Sequence, residues 1–205
     1  MIAMLLGGIL AKKLGPRSPF LLAATVGSLG FILGFGITEK SGKQEPLELS
    51  SLLAVGREKG LLLASGLAIL IQILTFATVY GFTPVAAKKL GADEFQRGLL
   101  TTLSTMPAIF ASAMSGSVFA KKFGERKTLI AGFATISLSC AVIPMIHSLK
   151  FLYLSEIIGG FARGVVFPLL MGLSIKTVDE ERRATAMGFF QAIYGVGMFL
   201  GPVLV

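Results

Sequence analysis

The sequence predicts an all-α membrane protein: a multi-span helical bundle of six spans plus a partial N-terminal helix. Three observations carry that prediction. The 205-residue chain is 54% hydrophobic and only 15% charged, whereas soluble domains carry about a quarter charged residues. Apolar runs close to the roughly 20 residues that a helix needs to cross a bilayer recur along the chain. The charges between them fall in short clusters rather than along one polar face.

Taken in order, Met1–Ala11 is half the length of a span. The cations that follow it would have to precede it in a signal peptide. Phe20–Ile37 is the first full span. Thr38–Gly60 is the longest polar segment, and its mixed-charge "EKSGKQEPLELSSLLAVGREKG" reads as a linker between two bundles. Leu61–Ala87, Leu99–Ala120, Leu129–Ile146, Phe151–Ile175 and Ala184–Val205 are the remaining spans. The chain opens inside an apolar run and closes inside another, "GMFLGPVLV", which reads as a fragment or truncated product of a longer protein. The expected division is residues 1–37 as the end of an N-terminal bundle, 38–60 as the linker, and 61–205 as a C-terminal bundle whose last helix is missing.

A short motif punctuates these runs. "AKKLG" occurs at Ala11–Gly15 and at Ala87–Gly91, and "AKKFG" at Ala120–Gly124. Each follows an apolar stretch. Two lysines in a last helical turn complement the negative end of the helix dipole, and the glycine supplies a C-terminal cap. The first and third copies align as G-x-x-x-K-K-x-G-x-R when Gly8 is matched to Gly116, with a slip of one residue at the lysines. Three spans separate them, so they lie on opposite membrane faces, an arrangement that suggests inverted repeats. A phosphate-binding loop is a poor alternative: "GITEKSGKQ" has five residues between its glycines and Gln in place of Ser or Thr.

Net charge and rare residues narrow the function. The formal charge of +8 reflects loop clusters, and no nucleic-acid partner is expected. The positive-inside rule compares eleven Lys and Arg, including Lys40, Lys59, Lys121, Lys122, Arg126, Lys127, Lys176 and Arg183, with seven on the other side. That bias makes the 38–60 linker cytoplasmic and points to a multi-pass protein of the cell membrane. Cys140 is the single cysteine and His147 the single histidine. Neither supports a disulfide or a usual zinc site, and no protease or hydrolase motif is present. The reading is no enzyme, no catalytic residue, no metal and no cofactor.

Polar residues inside the spans are the candidate site. Arg163 lies thirteen residues after Lys150, about 20 Å along a helix, and an intramembrane arginine by default faces a cavity or a partner. Glu156, two turns earlier, is a candidate for proton coupling; at about 10 Å by helix rise it is not expected to pair directly with Arg163. Leu61–Ala87 carries Gln72, Thr75, Thr78, Tyr80 and Thr83; the first three form a drifting polar stripe, with Gln72 and Thr75 as cavity candidates, although threonines can equally satisfy their hydroxyls on the preceding turn. Gln191 and Tyr194 are possible contacts from the last span. Gly30/Gly34, Gly160/Gly164 and Gly197/Gly201 have small-xxx-small spacing for close helix packing, and Pro202 is grouped with them.

These stretches resemble a known family. "LLGGILAKKLGPRSPFLLAA" and the linker after it resemble the fifth-to-sixth-helix region and central loop of the major facilitator superfamily. "GSVFAKKFGERKTLIAGF" is similar to that family's cytoplasmic hairpin between helices eight and nine, here carried by Gly116, Lys121, Lys122, Gly124, Arg126 and Lys127. "GGFARGVVFPLLMGLSIKTVDEERRATAMGFFQAIYGVGMFLGPVLV" looks like its tenth and eleventh helices. The resemblance implies a partial facilitator fold and a secondary transporter that moves a small solute by alternating access, with a proton as a possible second substrate. The expected partners are the lipid bilayer and the remainder of the transporter. Two departures stand out. Lys121 and Lys122 occupy the region where the family often has Asp, and the Gly-x-x-x-Gly-Pro pattern of antiporters, a helix-five feature, falls here at Gly197–Pro202. The alternative is a membrane-inserted remnant with a structural or regulatory role and no transport of its own.

Overall fold

The computed structural model describes residues 7, 9, 10, 13–15, 17–36 and 55–204. Most of the linker, Lys12 and most of Met1–Ala11 lie outside the described residues. The described helices are α1 (Ser18–Gly34), α2 (Lys59–Lys89), α3 (Glu94–Phe123), α4 (Glu125–Met145), α5 (Leu149–Ile175) and α6 (Glu180–Val203). The last five are long and apolar enough to cross a membrane. The first expected span is helical over Ser18–Gly34 and buries none of its residues.

Local chemistry sets the helix ends. α3 starts earlier than hydropathy alone suggests because Asp93 and Gln96 form a reciprocal capping box: Gln96 N–H donates to Asp93 Oδ1 at 2.7 Å and Asp93 N–H to Gln96 Oε1 at 2.9 Å, satisfying two otherwise orphan amides. α2 stops at the second lysine motif. Gly91 has φ +82°, and the amides of Gly91 and Ala92 donate to the carbonyls of Lys88 and Ala87. This is the bond pair of a Schellman cap, closed by Ala87 and Ala92 in one buried cluster. The other two motif glycines, Gly15 and Gly124, also have positive φ, +89° and +84°. Thus all three repeated glycines hold backbone conformations that side chains resist.

Two wide, π-helical turns interrupt the spans. Thr78–Phe82 lies just before Pro84, whose ring crowds the carbonyl four residues back and removes an amide donor; widening the turn relieves both. Ser115–Ala120 is the second. A π turn absorbs one extra residue within a continuing helix, and this one lies just before the lysines of the third motif.

α5 forms the centre of the bundle. More than half of its central window is buried, against a third or less for the other spans, and it packs on α2, α3, α4 and α6. Leu61, Ile71, Ile136, Val166, Leu170 and Phe190 fill the main core. The outward faces expose Phe110, Leu138, Phe151 and Phe199, as surfaces solvated by lipid do. At one end of the bundle Lys176 Nζ is 2.8 Å from Glu125 Oε1; at the other, Tyr153 Oη–H donates to the Gln96 carbonyl at 3.3 Å.

Candidate functional site

Close helix contact builds the site. A Cβ at Gly160 would overlap the Ser104 backbone carbonyl, and one at Gly164 would overlap the backbone of Ala108. The Gly160/Gly164 pair of α5 therefore fits against a second small pair, Ser104/Ala108 of α3. Gly197 and Gly201 likewise admit Ile69 and Phe76 of α2 to α6, with Pro202 beside them inside α6. Gly30 and Gly34 differ: among the described residues a Cβ on either meets nothing within 4 Å.

The seam between α3 and α5 holds a polar network. Arg163 Nη2 lies 3.1 Å from Glu156 Oε2 and donates to Ser104 Oγ at 2.5 Å. Thr83 Oγ1–H donates to the other carboxylate oxygen, Glu156 Oε1, at 3.0 Å. Glu156 is 2% exposed and Thr83 is fully buried. The expectation that Glu156 and Arg163 do not pair is corrected. Seven residues bring them within 20° of one another around the helix, and helical side chains lean toward the N-terminus. The long arginine stem therefore spans most of the axial gap. Gly159 leaves its path open, since a Cβ there would stand 3.2 Å from Arg163 Nη1.

The pair is neutral as a unit, which lowers the large cost of an isolated charge away from water. Thr83 and Ser104 satisfy further polar sites on it, a condition for a buried ion pair to be tolerated. The network thus joins α2, α3 and α5.

Arg163 also borders a cleft of about 310 Å³ between those three helices, with Gln72, Thr75, Tyr80, Thr105 and Phe167 among its walls. Thr75 and Thr78 donate their hydroxyls to the preceding turn at Ile71 and Leu74. Both threonines are therefore satisfied within their own helix, and Thr75 still lines the cleft. Gln191 is exposed, and Tyr194 stacks edge-on against Phe167 and Phe190 with ring centroids 5.3 and 5.2 Å apart. The structure brings Gln72, Thr75 and Arg163 together and leaves Gln191 and Tyr194 off the cleft. Sequence reasoning missed Ser104; its signal was the four-residue spacing to Ala108, matching Gly160/Gly164.

The hairpin residues lie at the α3–α4 junction. Gly116 sits in the π-helical turn, Lys121 and Lys122 in the last turn of α3, and Arg126 and Lys127 in the first turn of α4. Among the described residues no group of three or more His, Cys, Asp or Glu is placed to hold a metal ion.

A bundle of apolar spans around a neutralised ion pair, with a largely apolar cleft that carries a few polar side chains among three of its helices, defines a multi-pass membrane protein. A profile of the Major Facilitator Superfamily matches residues 65–205, from the first turns of α2 to the end of the chain. The chain belongs to the Major Facilitator Superfamily, a group of membrane transporters and not of enzymes. It is 29% identical to the quinolone resistance protein NorA of Staphylococcus aureus (strain MRSA252) over 134 residues, 65% of this chain and 34% of the relative. It is 23% identical to the class C tetracycline resistance protein of Escherichia coli over 218 residues, 100% of this chain and 54% of the relative. The chain therefore spans between about a third and about half the length of these curated relatives.

Proposed function

We propose that this chain serves in a secondary transporter that exports a small solute across the cell membrane by alternating access. Residues 1–37 belong to one bundle, residues 38–60 form a cytoplasmic linker, and residues 61–205 belong to a second bundle that rocks against the first. The observation that carries this reading is the Glu156–Arg163 pair at a cleft wall, because charged groups inside spans mark substrate or ion paths. Export is favoured by the names of the two relatives, both resistance proteins.

In this reading Arg163, Gln72 and Thr75 contact the solute. Glu156 takes up a proton when Arg163 turns from it toward substrate, coupling the two. The test is flux in proteoliposomes holding the complete natural protein that contains this chain. Arg163→Ala is expected to abolish solute flux with insertion intact. Glu156→Gln is expected to leave binding but remove the dependence on a proton gradient. Wild-type flux in Arg163→Ala rejects the solute site, and gradient-driven flux in Glu156→Gln rejects the coupling role.

A further inference from the structure

The corner where α3 meets α4 takes no part in the cleft, yet it concentrates positive charge. Lys121, Lys122, Arg126 and Lys127 lie within seven residues. The one carboxylate among them, Glu125, is held by Lys176 at 2.8 and 3.0 Å. Among the described residues none of the four cations has a carboxylate partner; Lys122 Nζ lies 5.5 Å from the centre of the Phe123 ring. Lysines at the end of a spanning helix carry their ammonium groups to headgroup depth.

Beside this charge is an apolar hollow of about 360 Å³, with Lys127 as its charged lining residue. Ala131, Gly132 and Ala162 line it with little side-chain bulk, and Phe119, Phe123 and Phe161 wall it. The Phe119 and Phe161 rings meet edge-on, with centroids 5.8 Å apart. Phe123 and Phe161 are both partly open to the outside of the bundle, at 53% and 37% exposure. The hollow therefore faces hydrocarbon rather than the central cleft. Thr135, at its inner end, also borders a second apolar hollow running on between α4 and α5.

We infer that this corner binds an anionic phospholipid of the adjoining leaflet, its phosphate against Lys127 and Lys122 and one acyl chain between Phe119, Phe123 and Phe161. Charge complementarity selects the headgroup. Four cations with no carboxylate partner among the described residues attract a net negative lipid, whereas a zwitterionic lipid brings its own ammonium into the same cluster. Shape selects the chain. A helix from another protein is about 10 Å across and does not enter a hollow of this size; a flexible hydrocarbon chain does.

The absence of tryptophan from the sequence provides a direct test. Phe161→Trp places a single reporter at the hollow, and the 205-residue chain is reconstituted in phosphatidylcholine vesicles. Part of the lipid is then replaced, at equal mole fraction, by brominated phosphatidylglycerol or by brominated phosphatidylcholine. The anionic quencher is expected to act at several-fold lower content. Replacing Lys122 and Lys127 by Gln is expected to lower that preference about fivefold per charge, the strength of one basic side chain near an anionic surface. Phe110→Trp, on the exposed face of α3 and bordering neither hollow, is expected to respond equally to both lipids, and Phe123→Trp supplies a second reporter if Phe161→Trp does not fold. Equal quenching by the two lipids at both reporters overturns the inference, as does a preference that survives loss of the lysines.

Discussion

Glu156 and Arg163 stand two turns apart on α5, and their side chains meet at 3.1 Å along a helix face flanked by Gly159 and Gly160. The same guanidinium reaches Ser104 of the neighbouring helix. One contact thus reports both the conformation of α5 and its closeness to α3.

Breaking the pair from either side is predicted to be worse than removing both charges. Arg163→Gln leaves a buried, unpaired carboxylate, and losses of this kind are about 3–5 kcal/mol. The double variant Glu156→Gln/Arg163→Gln is expected to recover much of that stability. Thermal unfolding in detergent across the full double-mutant cycle measures the coupling; additive losses would mean the pair has no energetic link.

Packing at the glycine seam gives a second prediction. Gly160→Ala places a methyl group on the Ser104 backbone, which cannot step aside as a flexible side chain does. A loss of about 1–3 kcal/mol is expected from overpacking, accompanied by weakening of the Arg163–Ser104 bond. Gly30→Ala and Gly34→Ala meet no neighbour and are expected to stabilise α1 by about 0.5–1 kcal/mol through helix propensity. Unfolding midpoints of the three variants separate the two environments.

The lysine-motif glycines predict a third set of effects. Gly91→Ala forces a side chain into positive φ, a strain of about 1–2 kcal/mol, and Gly124→Ala into a region at φ +84° and ψ 151° that is essentially restricted to glycine, a strain of about 1–3 kcal/mol. Neither site has a neighbour within 4 Å of a new Cβ, so the loss is one of backbone conformation alone. Substitution by Asn, which tolerates left-handed backbone better than alanine, is expected to recover part of the loss at Gly91. Comparison of Ala and Asn variants by thermal unfolding checks this.

The Lys176–Glu125 bridge has more modest value. Its side chains are 60% and 41% exposed, and surface pairs of this kind contribute about 0–1 kcal/mol. Lys176→Gln is therefore expected to shift stability slightly at low salt and not at high salt, as a salt titration of the unfolding midpoint will report.

Much of this architecture was legible in hydropathy, because a bilayer demands long apolar helices whose backbone bonds are satisfied internally. The motif glycines were legible too, since a cap needs a residue free to adopt positive φ. The ion pair was not. Axial rise alone put Glu156 and Arg163 out of reach, whereas stem length, the lean of helical side chains and the bare glycines beside them closed the gap. Ser104 was hidden for another reason: its role depends on the register of α3 against α5, which neither helix encodes by itself. On α6, Tyr194 packs into the Phe167–Phe190 cluster and Gln191 is exposed, a difference that depends on how α6 is rotated against its neighbours. The π-helical turn at Ser115–Ala120 was not legible either, since it is a choice of backbone bonding that hydropathy does not register.

The central claim is that Arg163, neutralised by Glu156 beside a cleft, belongs to a solute path. Its most direct test is solute flux by the complete natural protein in proteoliposomes, comparing wild type with Arg163→Ala at equal insertion and with folding checked independently. Flux is expected in the wild type and none in a folded Arg163→Ala variant. Equal flux in both would contradict it, leaving the ion pair a structural tie between α3 and α5.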